Sequence, residues 1–273
     1  MKILNHILHL DNGTSVTQKT SPNHGGAYTP QYLVMHYTGS ISADSAINWF
    51  LNKNAQASAH LVIGDDGSIT QMAPFNVVTW HAGKSKWAGL VGLNKHSIGI
   101  ELANAGMLEK QDGSWVSRLD RKTILNAMVT MAAHKAGGPV TGWQSYSAIQ
   151  LSVVQDIANL LVEHYSLKDV VGHEDIAPGR KVDPGPAFPM GSFRSKAMGR
   201  KDETIDDYVT LDSLNIRKGP GSEFEPLTQP LPKGTSVSVI RNEGSWSFVD
   251  VETTVHGLND LQGWVANRFL TKA

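Results

Sequence analysis

The pattern of the chain changes at residues 193–208, FRSKAMGRKDETIDDY, a charged stretch without apolar periodicity. Predicted strands and helices alternate before it, whereas only short strand-like runs follow it. The charge also changes sign there, from +3 over residues 1–200 (17 Lys+Arg, 14 Asp+Glu) to −4 over the remainder (7 and 11). The sequence therefore predicts two independently folding domains and a linker. Their predicted limits are 1–192, 193–207 for the linker, and 208–273.

The first region predicts an α/β domain with a mixed central sheet flanked by helices. Apolar and alternating runs predict strands at residues 32–36, 59–63, 69–72 and 97–102. The 3.6-residue period predicts helices at residues 43–53, 121–133 and 147–164. Ser147 and Gln150 suit a capping box at the start of the last helix. After the linker, LNIRKGPG, GTSVSVI, SWSFVDV and GWVANRFL alternate between Gly and Pro turns, which is typical of a small all-β barrel.

Composition excludes several functions. The net charge of −1 leaves no surplus of Lys and Arg for phosphates, so nucleic acid is not an expected partner. No apolar run approaches the roughly 20 residues that span a bilayer. The chain contains no cysteine, so a metal would have to be held by His and carboxylate side chains. The N-terminal MKILNHILHLDNG lacks a convincing secretory signal, so we expect synthesis in the cytoplasm.

Two histidines follow apolar strand-like runs. His36 ends YLVMH, and His173 follows Val170 and Val171 in VVGHEDIAPGRKVDPGP. A histidine in such a place is more often a hydrogen-bonded core or rim residue. Neighbouring strand ends can nevertheless bring two imidazoles together, and Asp183 lies in a loop that prolines make rigid. The three form a His-His-carboxylate set, which binds Zn²⁺ and leaves a fourth position for water, as in catalytic sites.

These motifs resemble a known family. VMHYT, SAHLVIGDDGSITQM, WHAG, LNKHSIGIELAN and GHEDIAPGRKVDPGPAFP occur in the order seen in zinc-dependent N-acetylmuramoyl-L-alanine amidases of the amidase-2 type. That family shares its fold with T7-type phage lysozyme and the peptidoglycan recognition proteins, and the resemblance covers roughly residues 30–190. It implies one zinc ion per chain, with Glu101 and Lys181 beside it. The implied zinc ligands are His36, His173 and Asp183.

The chemistry of Glu101 and Lys181 fits these implied roles. Strand alternation places Glu101 between Gly99 and Ala103, where its carboxylate can face a cleft and accept a proton from water. Lys181 and Asp183 are two residues apart, so a cation beside the carboxylate can stabilise an oxyanion. The alternatives are a solvent-facing Glu at a sheet edge and an ordinary surface Lys.

Three further polar residues have more than one interpretation. The resemblance places His81 near the cleft, which predicts contact with substrate. Asn104 can hydrogen-bond a glycan or peptide amide, or it can form the turn after the Glu101 strand. His60 begins the HLVIG run and is predicted to support the sheet, not to bind metal.

Residues 208–271 resemble a bacterial SH3-like domain, which in cell-wall enzymes commonly targets peptidoglycan. Trp246 and Trp264 can offer a flat contact surface, or they can fill the barrel core. The combined prediction is a monomeric amidase that cleaves the lactyl-alanine amide of intact cell wall, reached by non-classical export or lysis. Three alternatives stay open: a non-catalytic peptidoglycan-binding protein, a zinc hydrolase of another amide, and a cytoplasmic enzyme that recycles muropeptides.

Overall fold

The computed structural model describes residues 1–199, 207–259 and 261–272. The chain divides into two compact units, Met1–Phe188 and Pro189–Ala273. Within the described ranges, no helix is both long and apolar enough to cross a membrane.

The helix α4 (Met190–Met198) belongs to the second unit and lies across the predicted start of the linker at residue 193. Residues 200–206 of that predicted linker lie outside the described residues. The domain limits at 192 and 208 therefore stay predictions.

A six-stranded mixed sheet forms the core of the first unit. Its strands are β1 (Thr17–Gln18), β2 (Tyr32–Tyr37), β3 (Leu61–Ile63), β4 (Ile69–Gln71), β5 (Ser97–Leu102) and β6 (Asp169–Gly172). They lie in the order β6-β2-β5-β3-β4-β1, which confirms the predicted mixed sheet. Strands β6, β2, β5 and β3 run parallel, and β4 is antiparallel to β3. The carboxyl ends of the four parallel strands consequently meet at one edge, where ligands bind in sheets of this kind.

Three helices belong to this unit: α1 (Ala43–Leu51), α2 (Ala148–Tyr165) and the single turn α3 (His173–Ile176). Helix α1 packs Ala46, Ile47 and Phe50 into a cluster that includes Val62 of β3. The amphipathic pattern of the helix thus fixes it over the β3 side of the sheet.

Half of the predicted capping box is present at α2. The Ser147 hydroxyl accepts a hydrogen bond from the backbone N–H of Gln150 at 3.2 Å. The Gln150 side chain turns inward instead and donates to the carbonyls of Ile63 and Ala103. It therefore ties α2 to the ends of β3 and β5 rather than closing the box.

The helix predicted at residues 121–133 is wrong. The structure has strands at Thr123–Ile124 and Val129–Ala132 there, and the latter pairs with Thr141–Gln144. As a helix, this stretch would need one buried apolar face. Leu125 and Met131 are exposed instead, and cross-strand pairing through the β-branched residues overrides the helical period.

Short two-stranded and three-stranded sheets surround the core. Their remaining strands are Lys2–Leu4, Ile7–His9, His24–Ala27, Val77–Thr79, Lys86–Trp87, Leu90–Val91, Leu108–Gln111 and Ser114–Ser117. The short 3-10 turns are Leu93–Lys95, Asn126–Met128 and Asn267–Phe269.

The second unit has an all-β sheet, as predicted. Its strands are β7 (Asp207–Thr210), β8 (Ser236–Glu243), β9 (Trp246–Val251), β10 (Leu261–Ala266) and β11 (Leu270–Lys272). They form an antiparallel sheet in the order β10-β9-β8-β7-β11. Apolar side chains on the alternating positions make its core: Leu214, Ile216, Leu231, Val237, Val249, Val251, Val255 and Val265.

His60 supports the sheet, in keeping with its predicted role. Its ring is fully buried, Nδ1 accepts the backbone N–H of Gly99 at 3.0 Å, and Nε2 donates to the Val77 carbonyl at 2.9 Å. Both nitrogens are thereby used by the neutral tautomer. Burial is the main reason that the pKa of His60 falls to about 3.

This pKa predicts an acid-sensitive fold. Below pH about 6.5 His60 takes up a proton in the unfolded chain, whereas in the folded chain it stays neutral until the pH approaches 3. The free energy of unfolding therefore falls as the pH drops from about 6.5 towards 3. The group adds up to about 1.4 kcal/mol per pH unit to that slope. Urea unfolding of chelator-treated protein across this range should therefore show a steeper pH dependence in wild type than in His60→Gln. Equal slopes would contradict the assignment.

Candidate metal centre

Three buried donor atoms converge at the carboxyl edge of the sheet. His36 lies near the end of β2, His173 follows β6 directly, and Asp183 lies in the loop after α3. The two Nδ1 atoms are 2.9 Å apart, and the Asp183 Oδ2 lies 3.0 Å from that of His36 and 2.9 Å from that of His173. The structure thus brings the predicted triad together, and its three donor atoms form a nearly equilateral triangle. This group could hold a metal ion.

Outer hydrogen bonds set the tautomer of both histidines. His173 Nε2 donates to the Ala82 carbonyl at 3.1 Å, which leaves its Nδ1 lone pair for the centre. His36 Nε2 lies 2.9 Å from His81 Nδ1, and His81 Nε2 lies 3.2 Å from the Ser97 carbonyl. Because a carbonyl only accepts, His81 donates through Nε2, and His36 must then donate to its Nδ1. The Nδ1 of His36 therefore also faces the centre with a lone pair.

Gly99 makes this histidine chain possible. It lies on β5, and a Cβ atom added there would overlap the imidazole ring of His81. The missing side chain lets the ring lie flat against the strand, close to the Ser97 carbonyl.

Burial and charge keep His36 and Asp183 in the form that binds a cation. Burial and the neighbouring His173 lower the pKa of His36 to about 4, against the opposing effect of Asp183. Burial raises the pKa of Asp183, but the His173 and His36 imidazoles beside its Oδ2 outweigh that effect and hold the pKa below its usual range. Neutral imidazoles and an ionised carboxylate are the metal-binding forms.

Glu101 faces the same edge. It lies on β5 directly beside His36 of β2 in the parallel register. Its Oε2 is inaccessible to solvent and has no hydrogen-bond partner in the described part of the chain. Burial, reinforced by the negative charge of Asp183 and opposed by Lys181, raises the pKa of Glu101 well above its usual range. An unpartnered buried carboxylate oxygen requires a ligand that it can contact.

The donor set fits the predicted zinc ion. Two imidazole nitrogens and one carboxylate oxygen are the ligand types of catalytic zinc sites, in which the fourth position is open. Each imidazole is oriented by a second hydrogen bond, as metal-binding histidines generally are. The orphaned Glu101 oxygen lies beside this set, where a zinc-activated group would meet it.

The other predicted site residues, Lys181, His81 and Asn104, differ in their surroundings and hydrogen bonds. Lys181 lines the cavity at the metal centre, together with Glu101. His81 also lines it, but both of its ring nitrogens are used within the protein, so we interpret it as positioning His36 instead of contacting substrate. Asn104 is fully buried, donates to the carbonyls of Gln144 and Ser145, and accepts from Gly106 N–H. That is the turn-forming alternative.

The cavity has a volume of about 1020 Å³, which is ample for a sugar and several amino acids. Sequence reasoning missed several of its lining residues, among them Trp49, Trp80 and Arg180. Trp49 and Trp80 are 54% and 37% exposed, and the sequence carries no signal for this, because the exposure of each side chain follows from how its segment packs.

The two tryptophans considered in the second unit lie in different environments. Trp264 is 5% exposed and belongs to the interior. Trp246 is half-buried at the start of β9 and lines a cavity of about 430 Å³ with Arg217, Arg268 and Phe269. Of these two tryptophans, Trp246 is therefore the one that is accessible from a cavity.

Two protein families match this chain. Residues 26–186 match the family described as N-acetylmuramoyl-L-alanine amidase, and residues 212–271 match the bacterial SH3 domain. The first match contains all five residues predicted at the metal centre, namely His36, Glu101, His173, Lys181 and Asp183.

Individual relatives agree with this match. N-acetylmuramoyl-L-alanine amidase AmiD of Escherichia coli K12 is 31% identical over 176 residues, 61% of this chain and 53% of AmiD. The 1,6-anhydro-N-acetylmuramyl-L-alanine amidase AmpD of the same strain is 33% identical over 169 residues, 62% of this chain and 74% of AmpD. A crystal structure of a selenomethionine derivative of AmpD superposes with a TM-score of 0.50 and 25% identity, covering 72% of this chain and 99% of that one. The chain therefore spans about half the length of AmiD.

Proposed function

Because the chain belongs to the N-acetylmuramoyl-L-alanine amidase family, we propose that it hydrolyses the amide between the lactyl group of N-acetylmuramic acid and L-alanine in peptidoglycan. The observation that carries the proposal is the set of His36, His173 and Asp183 donors, with the unpartnered Glu101 oxygen beside it. A non-catalytic binding protein would need neither the complete donor set nor this carboxylate.

The roles of the chain's own residues follow from their positions. His36 Nδ1, His173 Nδ1 and Asp183 Oδ2 would hold one zinc ion. Zinc bound to such a set supplies Lewis acidity, which polarises an amide carbonyl and makes water more acidic. Glu101 accepts a proton from the attacking water at Oε2 and passes it to the alanine nitrogen as the amide breaks. Lys181 stabilises the negative charge that develops on the former carbonyl oxygen.

The reaction is tested by its products. Purified protein with zinc should release peptides that begin with a free L-alanine amino group from insoluble cell wall, as mass spectrometry and amino-terminal labelling will detect. If no peptide is released, the protein only binds peptidoglycan. If the new amino termini come from another bond, the protein is a hydrolase of a different amide. Each of these two results would overturn the proposal.

A second substrate is favoured by one observation, the similarity to AmpD, which is named for 1,6-anhydro-N-acetylmuramyl-L-alanine. Rates on insoluble wall and on soluble 1,6-anhydro muropeptides, measured side by side, separate the two. We propose intact wall as the main substrate, because an enzyme that acts on soluble muropeptides would not need the SH3 domain at residues 212–271 to bring it to its substrate. The site of action at the wall and the monomeric state remain part of this proposal.

The SH3 domain is proposed to bind the wall through Trp246. Trp246→Ala should weaken binding to insoluble peptidoglycan about tenfold, because an aromatic ring buried under a ligand contributes roughly 1.5–3 kcal/mol. Cosedimentation of the full-length protein with purified wall measures this. Leu258→Ala is the control, since Leu258 is 40% exposed in the same unit. Unchanged binding of Trp246→Ala, or a slower reaction on soluble muropeptide, would contradict the anchoring role.

A further inference from the structure

A hairpin outside the cavity contacts the turn that follows the metal-binding edge of the sheet. This 129–144 hairpin consists of the paired strands Val129–Ala132 and Thr141–Gln144 and the loop between them. The loop carries His134 and Lys135, and both side chains contact α3. Among the described residues that line the cavity at the metal centre, none belongs to this hairpin. The hairpin therefore meets the metal centre from outside the cavity.

Glu174 is the residue of α3 that the hairpin loop holds. It follows the metal-binding His173 directly, and its side chain is only 5% exposed. Its Oε1 lies 2.8 Å from Lys135 Nζ, and its Oε2 lies 2.5 Å from His134 Nε2. His134 Nδ1 accepts the Ala136 N–H at 3.1 Å, so Nε2 carries the proton and donates to Glu174. Both carboxylate oxygens are thus bonded to the hairpin.

Further contacts extend this network to the backbone on both sides of α3. Lys135 Nζ also contacts Asp175 Oδ1 at 2.6 Å, and Asp175 Oδ2 accepts the Gly172 N–H at 2.7 Å, at the end of β6. The Glu174 N–H donates to the Asp183 carbonyl at 2.8 Å. The hairpin is therefore connected through Asp175 to the end of β6, and through Glu174 to the backbone of a second metal-binding residue.

The second strand of the hairpin packs on the loop after Asp183. Trp143 is buried in that strand, and a Cβ atom added at Gly185 would lie 2.7 Å from its ring. The Trp143 Nε1 donates to the Ala132 carbonyl at 3.1 Å, and the ring stacks on that of His134, with their centroids 6.0 Å apart. The same hairpin thus contacts the chain just after each of two metal-binding residues.

A contribution to stability does not by itself account for the buried carboxylate. A carboxylate loses its hydration on burial, and a buried ion pair is often no more stabilising than well-packed apolar side chains of similar volume. Directional bonds to both of its oxygens do restrict where Glu174 and the backbone attached to it can lie. Because His173 is the preceding residue, these bonds also restrict the position of its Nδ1 relative to Asp183.

We propose that His134 and Lys135 are positioning residues of the metal centre, which act through Glu174 to hold His173 and Asp183 at the spacing that binds zinc. The proposal rests on the zinc site of the proposed function, and not on which amide is cleaved. Loss of either hairpin side chain should weaken zinc binding by about tenfold or more, as is usual for residues that orient metal ligands from outside the coordination shell.

Zinc affinity of the full-length protein is measured by competition with a chromophoric chelator. Lys135→Ala should weaken zinc binding about tenfold, and Lys135→Arg, which keeps the charge, should recover most of the loss. Lys110→Ala is the matched control, because Lys110 is an exposed lysine on another hairpin of the same unit, where it lies over Trp115. His134→Ala should weaken zinc binding in the wild type but not in a Glu174→Ala background, since His134 acts through that carboxylate.

Cobalt substitution gives a readout that a purely structural role would not change. The visible absorption of bound Co²⁺ depends on the number and arrangement of its ligands. The spectra of Lys135→Ala and His134→Ala should therefore differ from that of wild type, whereas the spectrum of Lys110→Ala should not. Thermal unfolding of the chelator-treated proteins measures the effect on stability alone. A lower Tm with unchanged zinc affinity and an unchanged cobalt spectrum would overturn the proposal.

The same measurements separate the positioning role from the amidase proposal. Weaker zinc binding by Lys135→Ala and His134→Ala supports the positioning role even if no substrate is cleaved. Zinc affinity equal to that of wild type in both variants, or no zinc binding by wild type, overturns it even if the protein proves to be an active amidase.

Discussion

Replacing His173 by alanine is expected to remove stoichiometric zinc and to lower kcat/KM by about 10³-fold or more, since a catalytic metal supplies several kcal/mol of transition-state stabilisation. His173 Nδ1 lies 2.9 Å from both His36 Nδ1 and Asp183 Oδ2, so the substitution removes one of three converging donors. The two donors left behind cannot enclose a small cation. Elemental analysis after dialysis and hydrolysis of a soluble muropeptide measure the two effects.

His164→Ala provides the control for this experiment. His164 is exposed in the last turn of α2 and is not among the residues that line the cavity at the metal centre, so its loss should change neither zinc content nor rate. One zinc ion per chain retained by His173→Ala would refute the assignment. Zinc lost from both variants would point to general instability instead, and thermal unfolding of each protein distinguishes that case.

Glu101→Gln is expected to keep zinc at one ion per chain and to lower kcat by about 10²-fold or more, because it removes a general base and not a metal ligand. Glutamine preserves the shape of the side chain, so the register between β5 and β2 is undisturbed. KM should change little, since substrate binding does not depend on the proton transfer.

Glu109→Gln is the matched control, because Glu109 is an exposed carboxylate that pairs with Arg121 in the same unit. Activity of Glu101→Gln within a few fold of wild type would make Glu101 structural and leave proton transfer to another group. Loss of zinc along with activity would mean that the carboxylate helps to hold the metal.

Local patterns were sufficient for most of the central sheet. The run at residues 97–102 is a strand with those limits, and the helix predicted at 147–164 is found at Ala148–Tyr165. Both segments have patterns that match their burial. Residues 121–133 have a helical period too, but their strands are stabilised by pairing with Thr141–Gln144, a contact that no local pattern contains. The family matches confirm both resemblances seen in the sequence.

Some residues of the candidate site could be predicted from the sequence, and others could not. Histidines at strand ends and a carboxylate in a rigid loop indicated the donor set, because parallel strands bring their carboxyl ends together. The role of His81 in orienting His36 was not predictable, because its two hydrogen bonds are made to residues on two different strands. Trp49 was hidden for a related reason: only the packing of α1 decides which face of the helix meets the cavity.

The contact between Gly99 and His81 links two positions in sequence variation. Any side chain at position 99 would occupy the space of the imidazole, so it is admissible only if position 81 becomes smaller. Losing that imidazole would free the Nε2 of His36 to exchange its proton with Nδ1, the nitrogen that faces the centre. A substitution that fills Gly99 to stiffen the strand would therefore need a second, smaller residue in place of His81. The two substitutions together would alter the metal site through His36, an effect that neither substitution alone would show.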